Sequence, residues 1–398
     1  MAFMTAKRKK IKEHQLAGFK YFKSISGMLE SLHEAGCEND RAGNRLLHMD
    51  QYMSLLLLYM FNPICTSLRA VQQASELKKV QRKLGCPRTS LGSLSEAARV
   101  FDSQLMQEIV DDLAAKLGPV SLNSKLNDLS GILTAVDGTV IPALSKMTWA
   151  FWKTDKNAVK AHAQFDLEKH VPLKLTITEG KEDERRTLAG NLEKGRIYVQ
   201  DRGYASYALF QQIIDAGSSF VCRLHDDAAY ETLEEHSLSE DARNASVLFD
   251  RTVRLGSNLR MKQKLSSPVR LVAIKCTPHI KRAKTGRGGP EQGQTLLVAT
   301  DRLDLDADVI ALIFKQRWTI EIFFRFFKHV LGCRHLLSYC HNGIELQTYA
   351  AIIACMLISL WTGKKPTIRT YEMLCWYFTG MADEEELLAH IGRLRPQD

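Results

Sequence analysis

Glu321 stands in the stretch FKQRWTIEIFFRFFKHVL, residues 314–331, in the company of Arg317, Arg325 and Lys328. At about 100° per residue, a helix puts Arg317 and Lys328 within roughly 40° of Glu321 on one side and Arg325 about 40° to the other. Trp318, Ile320, Ile322, Phe323, Phe324, Phe326, Phe327, Val330 and Leu331 fill most of the remaining circumference. The spacing therefore predicts one helix, buried on most sides, with a narrow polar stripe. A carboxylate flanked by cations on a rigid helix suits metal-assisted work on phosphate. The plainer alternative is an i,i+4 ion pair of Glu321 with Arg317 or Arg325 on a solvated edge.

Two further carboxylates shift the balance. SGILTAVDG reads as a buried strand ending at Asp137-Gly138, and RIYVQDRGY as another ending at Asp201. Each has a plain reading too, since Asp-Gly is a common hairpin pair and Asp201 before Arg202-Gly203 can simply begin a turn. Delivered from two strand ends and a helix, however, Asp137, Asp201 and Glu321 can converge on two divalent cations. Mg²⁺ is the natural choice, because it takes oxygen ligands, keeps waters and shares substrate phosphates; Mn²⁺ can substitute. Two such ions clamp an in-line phosphoryl displacement, with Arg317, Arg325 and Lys328 as contacts to a nucleic-acid backbone.

The elements that must position these residues form an α/β chain. Residues 1–125 read as a helical region, with Tyr52–Ile64 as a core helix broken at Asn62-Pro63. Short amphipathic segments follow, crowded with Arg69, Lys78, Lys79, Arg82, Lys83 and Arg88, which suggests either a DNA-contacting helix-turn-helix or a solvated basic surface. Residues 126–223 run strand, hairpin (AHAQFDL and PLKLTITEG across Glu168-Lys169-His170), helix, strand, helix, strand. That order is the ribonuclease-H-like one: a mixed sheet with flanking helices. Residues 224–295 interrupt it as a β-rich insertion, acidic and loop-like from Asp226 to Asn244, and 296–345 resume it with the Glu321 helix. Residues 346–398 are helical again. His162, Lys160, Trp149 and Trp152 fall near the expected site, with core or sheet roles as their ordinary explanation. Arg282, Lys284 and Arg287 lie in a Gly-rich loop that can follow a DNA backbone or merely be solvated.

Composition is that of a globular protein with room for a sizeable core in 398 residues. The net charge of +9 favours an anionic partner, nucleic acid above all. Nine cysteines are scattered without a CxxC pair, which predicts reduced thiols and no structural zinc. The amino terminus is basic without an apolar core of the signal-peptide kind, and Leu346–Trp361 falls below spanning length, so a cytoplasmic, nucleoid-associated protein without membrane association is expected.

Three blocks, VDGT around Asp137, DRGY around Asp201 and RWTIEIFFRFFK around Glu321, resemble the DDE transposases of the insertion-sequence-4 group, within the ribonuclease-H-like superfamily. The group's signature at the last carboxylate is Tyr-x2-Arg-x3-Glu-x6-Lys. Arg317, Glu321 and Lys328 match it, and Phe314 stands where the tyrosine is usual. The departure puts a hydroxyl contact to phosphate in doubt and leaves metal binding untouched. The resemblance implies cut-and-paste transposition: nicking of the element's end by water, then attack by the freed 3′-hydroxyl, with a hairpin on the excised end. It implies Asp137, Asp201 and Glu321 as metal-holding catalytic residues. The DNA contacts would come from Arg317, Lys328, Arg325 and Phe314. It also implies double-stranded DNA partners (terminal inverted repeats and target) and a homodimer in the synaptic complex. A transposase-derived DNA-binding protein whose chemistry has lapsed, and a nuclease that cuts without joining, are the competing expectations.

Overall fold

The computed structural model describes residues 27–35, 39–40, 43, 45–119, 124–126, 129–143, 147–153, 156–256, 265, 267–276, 294–332 and 335–394. Two compact units emerge: residues 1–118, 142–148 and 325–397 form the first, and 119–141 with 149–324 the second.

The first unit opens with α1 (Met49–Phe61), which is apolar on all sides and buried along nearly its whole length. Asn62, extended at φ −118°, ψ 105° before Pro63, ends it. Three short helices follow: α2 (Leu68–Ser75), α3 (Lys78–Leu84) and α4 (Leu91–Val100). Ser67 and Ser90 cap α2 and α4 by accepting from Ala70 N and Ser93 N, and Gly85 at φ 63° closes α3. Arg69, Lys78, Lys79, Arg82, Lys83 and Arg88 are all exposed, while Val71, Val80, Leu84 and Leu94 face inward. Next, α5 (Met106–Lys116) buries Met106, Ile109, Val110 and Leu113 at helical spacing.

The second unit is built on a ten-stranded sheet. Its strands are β1 (Ile132–Pro142), β2 (Phe151–Lys153), β3 (Lys156–Asp166), β4 (Val171–Glu179), β5 (Arg196–Gln200), β6 (Ser219–Arg223), β7 (Tyr230–Glu235), β8 (Val247–Leu255), β9 (Val269–Lys275) and β10 (Thr295–Thr300). They lie in the order β2-β3-β1-β5-β6-β10-β9-β8-β7, with β4 on β3. Within that order, β4-β3-β1-β5-β6 is the ribonuclease-H-like core, a hairpin beside β1 and then β1, β5 and β6 parallel. The parallel strands read as continuous apolar runs because both faces are covered. Helices α6 (Glu184–Ala189) and α7 (Tyr207–Asp215) connect β4 to β5 and β5 to β6. The stacked Phe210 and Phe220 rings, 4.1 Å apart, tie α7 to β6 within a core that includes Val136, Tyr198 and Tyr204.

The 224–295 stretch does not break away from this sheet. Strands β7, β8 and β9 extend it through β10, which runs antiparallel to β6. The acidic segment expected as loop contains β7 and a short helix, α8 (Glu240–Asn244). Strand β7 is exposed on both faces, so no apolar alternation marks it in the sequence. Arg282, Lys284 and Arg287 lie outside the described residues. The sheet is followed by α9 (Ala307–Gln316) and α10 (Trp318–His329), whose last five residues belong to the first unit.

The first unit is completed by α11 (His341–Thr362), α12 (Ile368–Thr379) and α13 (Glu384–Arg393). At 22 residues α11 is longer than expected and apolar enough to cross a membrane by composition, yet 89% of its most apolar window is buried inside the protein. It packs on α1, α4 and α5 as a core helix.

Candidate active site

Register places the two aspartates. The parallel pairing of β1 with β5 runs Ile132–Arg196 to Ala135–Val199, and two residues beyond that last pair stand Asp137 and Asp201. Because side chains alternate with period two, both sit at equivalent positions past the paired carboxyl ends of neighbouring strands. Strand β1 continues through Asp137-Gly138 to Pro142, so this Asp-Gly pair is not a hairpin turn. Asp201 begins a 3-10 turn, Arg202–Tyr204, and its Oδ1 accepts from Gly203 N at 2.7 Å. Asp137 Oδ1 accepts from Gly138 N at 2.8 Å.

The expected single helix over 314–331 is two helices meeting at Arg317. Arg317 keeps helical dihedrals (φ −50°, ψ −33°), and the break is a slip to i,i+3 bonding: Arg317 N donates to Phe314 O, and Ile320 N to Arg317 O. At this junction the guanidinium serves two carboxylates. Its Nη2 donates to Glu321 Oε1 at 2.6 Å, and its Nη1 lies 4.0 Å from Asp137 Oδ2. The i,i+4 pair therefore exists and is also part of the acidic site. Trp318 and Ile322, expected to be covered, are 43% and 45% exposed, whereas Ile320, Phe323, Phe324, Phe326 and Phe327 are buried. The buried arc of α10 is narrower than its composition suggests, because its polar and apolar residues share one solvent face.

A fourth carboxylate enters from α6. Glu184 Oε1 lies 3.3 Å from Lys160 Nζ, and a Cβ placed on Gly138 would come within 2.6 Å of that same oxygen. Gly138 is thus the vacancy in β1 that admits Glu184. Burial pushes the Asp137 carboxyl up to about 7; Arg317 and the Gly138 amide oppose this, and Asp201 and Glu184 add to it. The buried Tyr204 phenol is raised well above its ordinary value, first by burial and then by the charges of Glu184, Asp137 and Asp201. One hydroxyl thus feels all three acids.

Of the other expected residues, Phe314 and Lys328 are half-buried and Arg325 is exposed. His162 is a hydrogen-bonded sheet histidine, its Nε2 2.8 Å from Thr178 Oγ1. Lys160 also donates to Glu182 O at 2.9 Å, which holds it beside Glu184. Nothing in the sequence marks Glu184, because it stands in the charged run KEDERR, where no spacing distinguishes one acid from its neighbours.

The donors here are all carboxylate oxygens, the set that a hard divalent cation takes, and the neighbouring charges of Asp201 and Glu184, which add to burial in raising Asp137, are what such a cation relieves. The oxygens of Asp137, Asp201 and Glu321 do not close as a trio within 4.8 Å, and Arg317 bridges Asp137 and Glu321. Fold and site together define a ribonuclease-H-like domain with an acidic centre at the carboxyl ends of its parallel strands.

The transposase DDE domain family matches residues 129–357, and the chain belongs to that family. The protein y4zB of Sinorhizobium fredii, which carries a transposase name, is 29% identical over 58% of this chain and 60% of its own length. This match spans only about three fifths of that relative. A Geobacillus stearothermophilus protein named for the transposase of insertion sequence element IS5377 is 24% identical over 69% of this chain and 68% of its own. A Synechocystis protein named for the transposase of element IS4SA is 22% identical over 68% and 71%.

Proposed function

We propose that this protein is a DNA transposase that cuts and joins strands at the ends of an insertion sequence. Asp137, Asp201 and Glu321 would be its metal-holding residues. The observation that carries this reading is the shared register of Asp137 and Asp201, with Arg317 reaching both Asp137 and Glu321. Two divalent cations, Mg²⁺ by donor chemistry, would supply activation of the attacking oxygen and charge neutralisation at the scissile phosphate. The chain's own residues do the rest. Arg317 holds Glu321 and Asp137 in one frame and would meet a phosphate at the site by exchanging one of those pairs. Glu184 and Lys160 form a paired wall beside Gly138. Lys328 and Arg325 on α10 and the exposed lysines and arginines of α2–α3 would supply the sequence-independent grip on double-stranded DNA. Phe314 would offer DNA its ring in place of the usual hydroxyl. Action on nucleoid DNA as a homodimer pairing two ends follows from the same reading.

The test is cleavage of DNA that carries the flanks of the protein's own gene. Mg²⁺-dependent nicking and joining of a pre-cut 3′-hydroxyl end are expected, with Glu321→Gln abolishing cleavage while DNA binding persists. Cleavage by Glu321→Gln at near wild-type rate would refute the site. Cutting without joining would identify a nuclease, and binding without cutting a lapsed transposase.

A further inference from the structure

The helical unit holds a second cluster of metal-ligating side chains, chemically unlike the first. His33 and Glu34 follow a 3-10 turn at Glu30–Leu32, and His48 stands at the cap of α1. Each offers one ligand atom, and these atoms lie within 4.8 Å of one another. Among the described residues this is the one such trio of His, Cys, Asp or Glu.

The surroundings orient both imidazoles through Nδ1. His33 Nδ1 lies 3.1 Å from each Asp50 carboxylate oxygen, and His48 Nδ1 lies 2.8 Å from the His33 carbonyl. A carbonyl can only accept, so the His48 proton sits on Nδ1; the Asp50 carboxylate makes the same demand of His33. In its neutral form each ring then keeps its lone pair on Nε2. A carboxylate or carbonyl behind Nδ1 is the arrangement that orients metal-bound histidines. His33 Nε2 is also 3.8 Å from Glu34 Oε1. The two rings stack 3.8 Å apart and 9° from parallel, so they must rotate out of the stack for their in-plane lone pairs to meet at one ion.

We propose that His33, Glu34 and His48 bind a borderline divalent transition-metal ion of the Zn²⁺ type, which clips the segment before α1 to the start of that helix. Two imidazoles and one carboxylate leave a fourth position for water. Such a nitrogen-rich set favours Zn²⁺ over Mg²⁺, whereas the all-oxygen set around Asp137 has the opposite preference. One protein thus carries two sites that sort their ions by donor chemistry. Cysteine spacing cannot reveal this one, because it uses none. The gain lies in joining residues 33 and 48, which removes chain entropy from the unfolded state and fixes the entry to the buried α1.

The experiment uses the full chain, stripped with chelator and titrated with Zn²⁺ in excess Mg²⁺. One Zn²⁺ per chain is expected, with a rise in the unfolding midpoint and, for Co²⁺ in its place, visible absorption of a low-coordinate ion. His33→Gln should abolish binding and the midpoint rise, Asp50→Asn should weaken binding about 10- to 100-fold, and Glu321→Gln should leave it unchanged. Glu34 is 88% exposed, so Glu34→Gln reports on the site without threatening the fold, and it should weaken binding by at least about tenfold. Absence of Zn²⁺ binding by the folded wild type, or equal binding by wild type, His33→Gln and Glu34→Gln, overturns the proposal.

Discussion

Gly138 shows how far a single residue's meaning depends on what lies opposite it. Beside Asp137 it reads as half of a turn; in the sheet it is space for Glu184 Oε1. A strand ordinarily gains from Gly→Ala, because alanine loses less backbone entropy on folding. Here Gly138→Ala is expected to leave the unfolding midpoint nearly unchanged while displacing Glu184 and lowering the cleavage rate at least about tenfold. Unaltered cleavage would show that Glu184 need not stand where it does. His162 gives a second residue-scale expectation. Its Nε2 donates to Thr178 Oγ1, which itself donates to Glu179 O, so the ring is neutral with an unpartnered, buried Nδ1. Burial, helped by Lys160, lowers it to about 4. The unfolded chain therefore binds the extra proton near pH 6.5 and the folded chain only near pH 4, so stability falls as pH drops through that window. The loss is on the order of 3 kcal/mol. His162→Gln should flatten the denaturation midpoint between those pH values, and an unchanged acid slope would remove His162 as its cause. Asp137, Asp201, Arg317 and Glu321 were legible in the sequence because strand ends and helical spacing single them out. Glu184 was not, since only the fold selects it from a run of charges.

Elements were legible where burial leaves an apolar run or an alternation, and illegible where burial is absent or the helical pattern runs on unbroken. The parallel strands and the β3–β4 hairpin announce themselves by apolar runs and alternation. Exposed β7 does not, and the junction between α9 and α10 hides inside an unbroken helical pattern because Arg317 never leaves the helical basin. Likewise α11 looked too short, since Gln347 and Thr348 interrupt its apolar run. Both are buried, and Gln347 accepts from Leu337 N and donates to His335 O. Polar residues near this helix's start are docking devices. Asn342 donates to Ala98 O and Phe101 O and accepts from Ser103 N, joining α11 to the end of α4 and the approach to α5. Asn342→Ala leaves three backbone groups without that partner, and a destabilisation of about 2–3 kcal/mol is expected. Equilibrium denaturation measures it; a change within about 0.5 kcal/mol would mean that water replaces the amide at no cost.

For the molecule as a whole, charge is the property that does not depend on how individual side chains pair: +9 on a chain whose proposed partner is a polyanion. Total charge does not say which cations matter, and the structure separates them by what they touch. Arg88 is held by Glu76 at 3.0 Å, so releasing it to a phosphate means breaking an existing pair. Lys79 and Arg82 project from α3 into solvent, with Arg82 Nε donating only to the Lys78 carbonyl among the bonds described for it. Each cation that meets a phosphate releases counterions and steepens the fall of affinity with salt by about 0.9 in the log–log slope. If α3 grips the backbone, replacing Lys79 and Arg82 together by alanine should flatten that slope by about 2 and weaken all sequences alike. Arg88→Ala should leave it nearly unchanged. Salt titrations of binding to end DNA and to unrelated DNA distinguish the outcomes. A slope indifferent to the double replacement would make the basic face of α2–α3 a solvated surface, and would leave the grip on DNA to Arg317, Arg325 and Lys328.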